Sequence, residues 1–248
     1  MVTKQKKTLL KTKKRNAKYH MKKITILLIW ILFSIQAISQ NDVPIKVEVR
    51  KKGVNFQLFR GGKPFYIKGA GGYDHFDVLA KCGGNSIRIW ETEHAKDILD
   101  EAQKLGLTVT VGLWVEHERH GFDYNDEEAV HAQLEKFRAI ILKLKDHPAL
   151  LLWGVGNEVN LNYRNMNVWY AIENIAKMIH EVDPNHPTVA VISGINSEEI
   201  HMIKDRCPSI NILGINTYAG ITNVPDKIRD YDWDRSYIVT EWGPTGDW

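Results

Sequence analysis

The sequence predicts an α/β fold, a (β/α)8 TIM-type barrel lacking its eighth βα unit and preceded by a short β-hairpin. Three observations carry this prediction. From Pro64 onward, apolar runs of strand length alternate with amphipathic helical stretches, the pattern of repeated βαβ units. The runs are short, rich in β-branched residues and apolar on both faces, as buried parallel strands are. The first is followed by Gly69-Ala70-Gly71-Gly72, which lacks the spacing of a dinucleotide-binding loop and its acidic residue about 20 positions on. A barrel is therefore favoured over a doubly wound sheet.

Taken in order, the chain opens on a basic head. Met21-Lys22-Lys23 precedes an apolar run over 24–33, interrupted by Thr25, and then Ala37-Ile38-Ser39. A charged segment, a short apolar core and a small-x-small site make a secretory signal peptide, with Met21 as the start and cleavage near Ser39. The run is about half of the ~20 residues that span a bilayer, so a cleaved signal is expected and no stable membrane anchor after cleavage. Residues 40–62 read as the hairpin, with alternating runs at 45–49 and 54–59 around Gly53. Residues 63–248 read as the barrel. Its strands are placed at 65–69, 86–90, 108–114, 149–155, 188–193, 210–216 and 237–240. Helices are placed at 76–82, 95–105, 127–145, 168–182, 197–205 and 225–230, with Gly106 and Asp183-Pro184 as stops. Seven strands where closure takes eight, and 186 residues where the fold takes about 250, imply a barrel truncated at its C-terminus.

Charge and cysteine content narrow the function. Residues 1–40 hold ten Lys or Arg and no acid, which leaves 23 basic against 30 acidic residues in the remainder, a net of −7. A mildly acidic body gives no reason to expect nucleic acid as a partner. Cys82 and Cys207 are too few for a disulfide framework and read as two buried, unpaired thiols.

In a β/α barrel the chemistry sits at the C-terminal ends of the strands. Those ends carry Arg88 and Trp90; Trp114, Glu116 and His117; Asn157 and Glu158; Asn216 and Tyr218; and Glu241 and Trp242. Two carboxylates, an arginine, two amides and several aromatic rings at one mouth suit a sugar: rings stack on pyranose faces while amides and carboxylates bind hydroxyls. An Asn-Glu pair alone is a weak signal. Its position at the end of an apolar strand, with a second Glu ending another strand 83 residues on, gives it weight.

Trp153-Gly154-Val155-Gly156-Asn157-Glu158, together with Thr240-Glu241-Trp242-Gly243, resembles the clan of retaining glycoside hydrolases built on β/α barrels. Within it, Gly84-Asn85-Ser86-Ile87-Arg88 and Asn216-Thr217-Tyr218 are most similar to the barrel domain of glycoside hydrolase family 2. The resemblance covers residues 63–248. It implies a β-glycosidase acting by double displacement on an oligo- or polysaccharide, with water as acceptor and neither cofactor nor metal; the signal peptide makes it an exported one. Glu158 is implied as acid/base, with a pKa raised by burial and nearby negative charge, and Glu241 as the nucleophile. Arg88 and Tyr218 would keep Glu241 charged and oriented, and Asn157 would bind the sugar 2-hydroxyl. Trp90, Trp114 and Trp242 are expected to stack on sugar rings, with Asn216 and His117 as further substrate contacts.

Two alternatives stay open: a transglycosylase using the same glutamates, and a carbohydrate-binding or inactive truncated barrel. Blander roles are also available. Arg88 could be a buried ion-pair partner, Tyr218 core, and Trp153 and Trp169 packing. Glu116-His117-Glu118-Arg119-His120 lacks the zinc-protease spacing and reads as a solvated or sugar-binding loop. His180, His186 and His201 read as surface residues.

Overall fold

The computed structural model describes residues 43–243, and the basic head, apolar run and cleavage site lie outside them. Two sheets form. The first is antiparallel: β1 (Val47–Lys52) and β2 (Asn55–Arg60) turn at Gly53, and β3 (Lys63–Pro64) adds to β2. Gly53 takes φ +62°, a conformation that favours glycine, and Lys52 pairs with Asn55 across it.

The second sheet has seven strands in the order β10-β9-β8-β7-β6-β5-β4, every neighbouring pair parallel. They are β4 (Gly69–Gly71), β5 (Ser86–Ile89), β6 (Thr108–Leu113), β7 (Leu150–Asn157), β8 (Thr188–Ser193), β9 (Ile212–Tyr218) and β10 (Ser236–Gly243). Between them run α1 (Phe76–Lys81), α2 (Ala95–Lys104), α3 (Glu127–Leu144), α4 (Asn167–Val182), α5 (Ser197–Arg206) and α6 (Val224–Asp230). Strand order follows chain order, so each helix is one crossover, as in a β/α barrel. Arg88 on β5 reaches Glu241 on β10, near opposite ends of this sheet. Only a sheet curled to near closure permits that contact.

Helix ends follow their local chemistry. Asp126 caps α3 by accepting from Ala129 N at 3.0 Å, and Asn196 caps α5 by accepting from Glu199 N at 2.9 Å. The charged positions of α3 face solvent, while Phe137, Ile141 and Leu144 are buried. Trp153 and Trp169 are fully buried packing residues. A second apolar cluster joins Val47 of the hairpin to Leu151, Leu152, Val189, Val191 and Ile212 of the barrel strands. The hairpin therefore covers the end of the barrel that lies below the strand C-termini.

Several expectations need correction. The first barrel strand is 69–71 rather than 65–69, and Lys63–Pro64 belongs to the hairpin sheet. Three residues containing two glycines carry no alternation to mark them as a strand. Cys82 is exposed, because it follows α1 on the solvent side, whereas Cys207 is buried with its thiol on the Trp169 carbonyl. His186 is buried rather than at the surface, with Nδ1 2.8 Å from Asp183 Oδ2, while His180 and His201 are exposed as expected. Tyr218 is not core, being 45% exposed at the strand end. Among the described residues no helix is long and apolar enough to cross a membrane.

Candidate active site

Both glutamates stand beside irregularities in their strands. The register of β7 against β8 shifts between Val155 and Asn157, and that of β10 against β9 shifts between Val239 and Glu241. Bulges of this kind re-aim side chains at strand ends. In β7 the shifted residue is Gly156 at φ +75°, where an added Cβ would lie 3.0 Å from Val159 Cγ1. Glu158 itself takes φ +52°, an uncommon backbone for a residue with a Cβ, and its N–H is held by Val191 O at 2.9 Å. The turn lets consecutive residues, Asn157 and Glu158, both reach the mouth.

Around Glu241 the donors are dense. Arg88 Nη1 lies 2.6 Å and Trp90 Nε1 2.7 Å from its Oε1, while the Tyr218 hydroxyl donates to Oε2 at 2.8 Å. Burial pushes the Glu241 pKa up. The hydrogen bonds of Trp90 and Tyr218, with the charge and hydrogen bond of Arg88, outweigh that and leave it below the ordinary carboxylate value. Tyr218 is shifted the other way, its hydroxyl proton held by the Glu241 carboxylate. Burial lowers the Arg88 pKa against the opposing pull of Glu241, and a guanidinium stays protonated regardless.

The second glutamate is held differently. Asn216 Nδ2 donates to Glu158 Oε1 at 2.9 Å, and Thr240 Oγ1 donates to Asn216 Oδ1 at 2.7 Å, which fixes which way that amide points. Arg88 Nη2 donates to Asn157 Oδ1 at 2.8 Å and orients the Asn157 amide in the same way. Arg88, Trp90, Asn157, Glu158, Asn216, Tyr218 and Glu241 thus form one hydrogen-bonded constellation at the strand ends.

The aromatic residues at the mouth differ in their surroundings. The Trp90 indole N–H is consumed by Glu241, so this ring holds a carboxylate rather than serving simply as a stacking platform. Trp242 is 67% exposed beside Glu241 and remains available to a sugar face. Trp114 is half-buried, its ring centroid 5.3 Å from that of His117, which in turn lies 5.2 Å from His120. His117 is therefore buried between two rings, and burial, with the charges of Arg119 and His120, lowers its pKa to about 4. In the same loop Glu118 accepts from the backbone of Arg164 and Asn165, at 2.6 and 2.9 Å, so it ties two loops together. Sequence reasoning missed Thr240 and Tyr73. The Thr240 hydroxyl orients Asn216, and the Tyr73 hydroxyl accepts from Trp90 N at 3.1 Å. Thr240 adjoins Glu241, which was the one available signal; nothing in the sequence pointed to Tyr73. Among the described residues no group of three or more His, Cys, Asp or Glu is placed to hold a metal ion.

Residues 93–243 match the family model described as glycosyl hydrolases family 2, TIM barrel domain. The β-glucuronidase of Homo sapiens is 20% identical over 183 residues, covering 65% of this chain and 26% of that protein. The β-galactosidase BoGH2A of Bacteroides ovatus is 24% identical over 202 residues, 67% of this chain and 23% of that protein. The chain thus spans about a quarter of the length of these relatives. In fold, the β-glucuronidase of Dictyoglomus thermophilum superposes with a TM-score of 0.61 at 21% identity, covering 79% of this chain and 39% of that one. The Bacteroides uniformis β-glucuronidase gives 0.62 at 19% identity, covering 81% and 27%. With its barrel strands, its paired glutamates and a family match over more than half its length, the chain belongs to the TIM-barrel domain family of the family 2 glycosyl hydrolases.

Proposed function

We propose that this protein is an exported retaining β-glycoside hydrolase acting on an oligo- or polysaccharide, with Glu241 as nucleophile and Glu158 as acid/base. The observation that carries this reading is the contrast between the two carboxylates. Glu241 is gripped by three donors, one of them a guanidinium, and its pKa lies below the ordinary value. Glu158 meets the neutral amide of Asn216. A nucleophile must be ionised and an acid must hold a proton, so two carboxyls in unlike surroundings suit double displacement.

In the first step a Glu241 carboxylate oxygen bonds to the anomeric carbon as the glycosidic C–O bond breaks. The leaving oxygen takes the proton of Glu158. In the second step Glu158, now a carboxylate, takes a proton from water. The water oxygen bonds to the same carbon and Glu241 departs ionised, so the anomeric configuration is retained over two inversions. Asn157, its Oδ1 occupied by Arg88, presents its Nδ2–H to the sugar 2-hydroxyl. No step calls on a cofactor. Export rests on the basic and apolar N-terminal segment of the sequence.

The test is turnover of a panel of aryl β-glycosides, including the glucuronide and the galactoside, with product stereochemistry read by NMR. Glu241→Ala is expected to lose roughly 10⁴-fold or more in kcat, and azide to restore turnover with inverted glycosyl azide as product. Glu158→Ala is expected to lose about 10²–10⁴-fold on poor leaving groups and little in the first step with good ones. Equal loss on all leaving groups would remove Glu158 from the acid role. A product that first appears inverted would exclude double displacement, and sugar–sugar products with excess acceptor would make the protein a transglycosylase.

A further inference from the structure

The indole of Trp90 is confined on several sides. Its Nε1 donates to Glu241 Oε1 at 2.7 Å, and its backbone N–H donates to the Tyr73 hydroxyl at 3.1 Å. The Tyr73 ring lies against it, with centroids 5.8 Å apart and planes tilted by 42°. The Arg88 guanidinium carbon is 5.4 Å from the indole centroid. Gly71 of β4 completes the enclosure: a Cβ there would lie 2.8 Å from the indole Cη2, closer than real Cβ contacts come, and 3.1 Å from Cζ2. Gly71 is not among the residues with positive φ, so its backbone does not require glycine. The indole does.

We propose that Gly71 and Tyr73 are positioning residues for Glu241, acting through the Trp90 indole, which the edge strand β4 and the loop after it hold where its N–H meets the carboxylate. The inference rests on the reading of Glu241 as nucleophile. Sequence logic expects a residue of a barrel strand to meet its neighbour in the sheet. Here β4 acts on β10, at the other end of the strand order, through the side chain that follows β5.

Three residues besides the indole set the surroundings of the carboxylate. Arg88 comes from β5 and Tyr218 from β9, each in direct contact, and Glu158 at the end of β7 acts on both through its charge. A methyl group at position 71 leaves all three in place and displaces the ring. The N–H···O bond then lengthens, the ionised form loses a donor, and the Glu241 pKa rises. Ionised Glu241 is the active form, so activity is lost as pH falls through that pKa. A higher pKa brings the loss at higher pH.

The experiment is a ¹³C NMR titration of the Glu241 carboxyl in the full chain, assigned by its disappearance in Glu241→Gln, alongside pH profiles of kcat/KM on an aryl glycoside. Trp90→Phe, which removes the N–H, is expected to raise the midpoint by about one pH unit, the order of one lost hydrogen bond to a charged group. Gly71→Ala is expected to raise it by a smaller amount in the same direction, and Tyr73→Phe by less again. A phenyl ring leaves room for the added methyl and has no N–H to lose. The Gly71→Ala/Trp90→Phe double variant should therefore titrate with Trp90→Phe alone. The proposal is overturned if folded Gly71→Ala leaves the midpoint unmoved, or if its effect adds in full to that of Trp90→Phe. Trp90→Phe with an unmoved midpoint overturns it as well, whether or not Gly71→Ala folds. The titration needs no turnover. An inactive wild-type protein would sink the glycosidase reading, and the NMR shift would still decide this one.

Discussion

Arg88 donates from Nη1 to Glu241 and from Nη2 to Asn157, so one planar fork sets both the charge of Glu241 and the direction of the amide beside it. Its side chain is only 11% exposed and that of Glu241 19%, so water screens the pair weakly. Lysine would keep the charge and lose the fork, since an ammonium is a point donor that cannot serve two acceptors in a fixed plane. Arg88→Lys is therefore expected to cut kcat by about 10²-fold, in the range seen when one oriented donor is removed. Arg88→Ala should do more, because it leaves a buried carboxylate without its counter-charge. The Glu241 pKa, now held low, must then rise, and the acidic limb of kcat/KM must move to higher pH. Matched pH profiles of the two variants check this: an acidic limb in Arg88→Ala that coincides with wild type would deny Arg88 its electrostatic role.

Among the elements, the strands that could be read from sequence are those whose burial left a mark. The runs at 188–193 and 86–90 match the strands to within a residue, because both faces are buried and both read as apolar. The members of the hydrogen-bonded constellation were legible wherever such a run ended in a polar residue, as with Arg88, Asn157, Glu158, Asn216 and Glu241. The first barrel strand left no such mark, and the function proposed for Gly71 is a matter of what a side chain would strike. The burial of His186 was illegible for a similar reason. Its partner Asp183 ends α4 and looks like an ordinary helix stop, yet its Oδ2 accepts from Trp153 Nε1 at 2.7 Å and lies 2.8 Å from His186 Nδ1, while Oδ1 accepts from Asn185 N at 2.9 Å. One carboxylate thus fastens β7, the end of α4 and the turn into β8. Burial pushes its pKa up, but the His186 and Trp153 contacts outweigh that and hold it below the ordinary value. Asp183→Ala is expected to destabilise the fold by about 3–5 kcal/mol, the range for removing one partner of a buried polar pair. A depressed pKa means that this contribution is present above the unfolded value of about 3.9 and is lost as pH falls through the lower folded one. Urea midpoints of wild type and Asp183→Ala should therefore converge at low pH. A gap that stays constant with pH would show that packing, not the carboxylate charge, accounts for the loss.

Across the whole molecule, chemistry and stability are assigned to opposite ends of the barrel. The glutamates and their donors occupy the strand C-termini, while the hairpin closes the other end, where Val47 is 3% exposed against Leu151, Leu152, Val189, Val191 and Ile212. Val47 N donates to Asn185 O at 2.8 Å, and Arg60 Nη2 to Pro148 O at 2.7 Å, so the attachment is polar as well as apolar. The hairpin is therefore docked on the barrel strands by apolar side chains and hydrogen bonds together. At the site end, side chains bridge β5 to the edge strand β10: Arg88 and Trp90 of the β5 end grip Glu241 on β10. Loosening one end should leave the other alone. Val47→Ala removes two buried methyl groups and is expected to destabilise by about 1.6 kcal/mol, at ~0.8 kcal/mol for each carbon taken from the core. The kcat/KM of the folded protein and its acidic limb should stay at wild-type values, since Glu158 meets the hairpin cluster through the Val191 backbone and not through its apolar side chain. Val47→Asp places a charge in the same apolar layer and should lower the urea midpoint much further, again without moving the limb. If either variant shifts the pH profile while still folded, the two ends are coupled through the strands, and the placement of Glu241 depends on how tightly the barrel is closed from below.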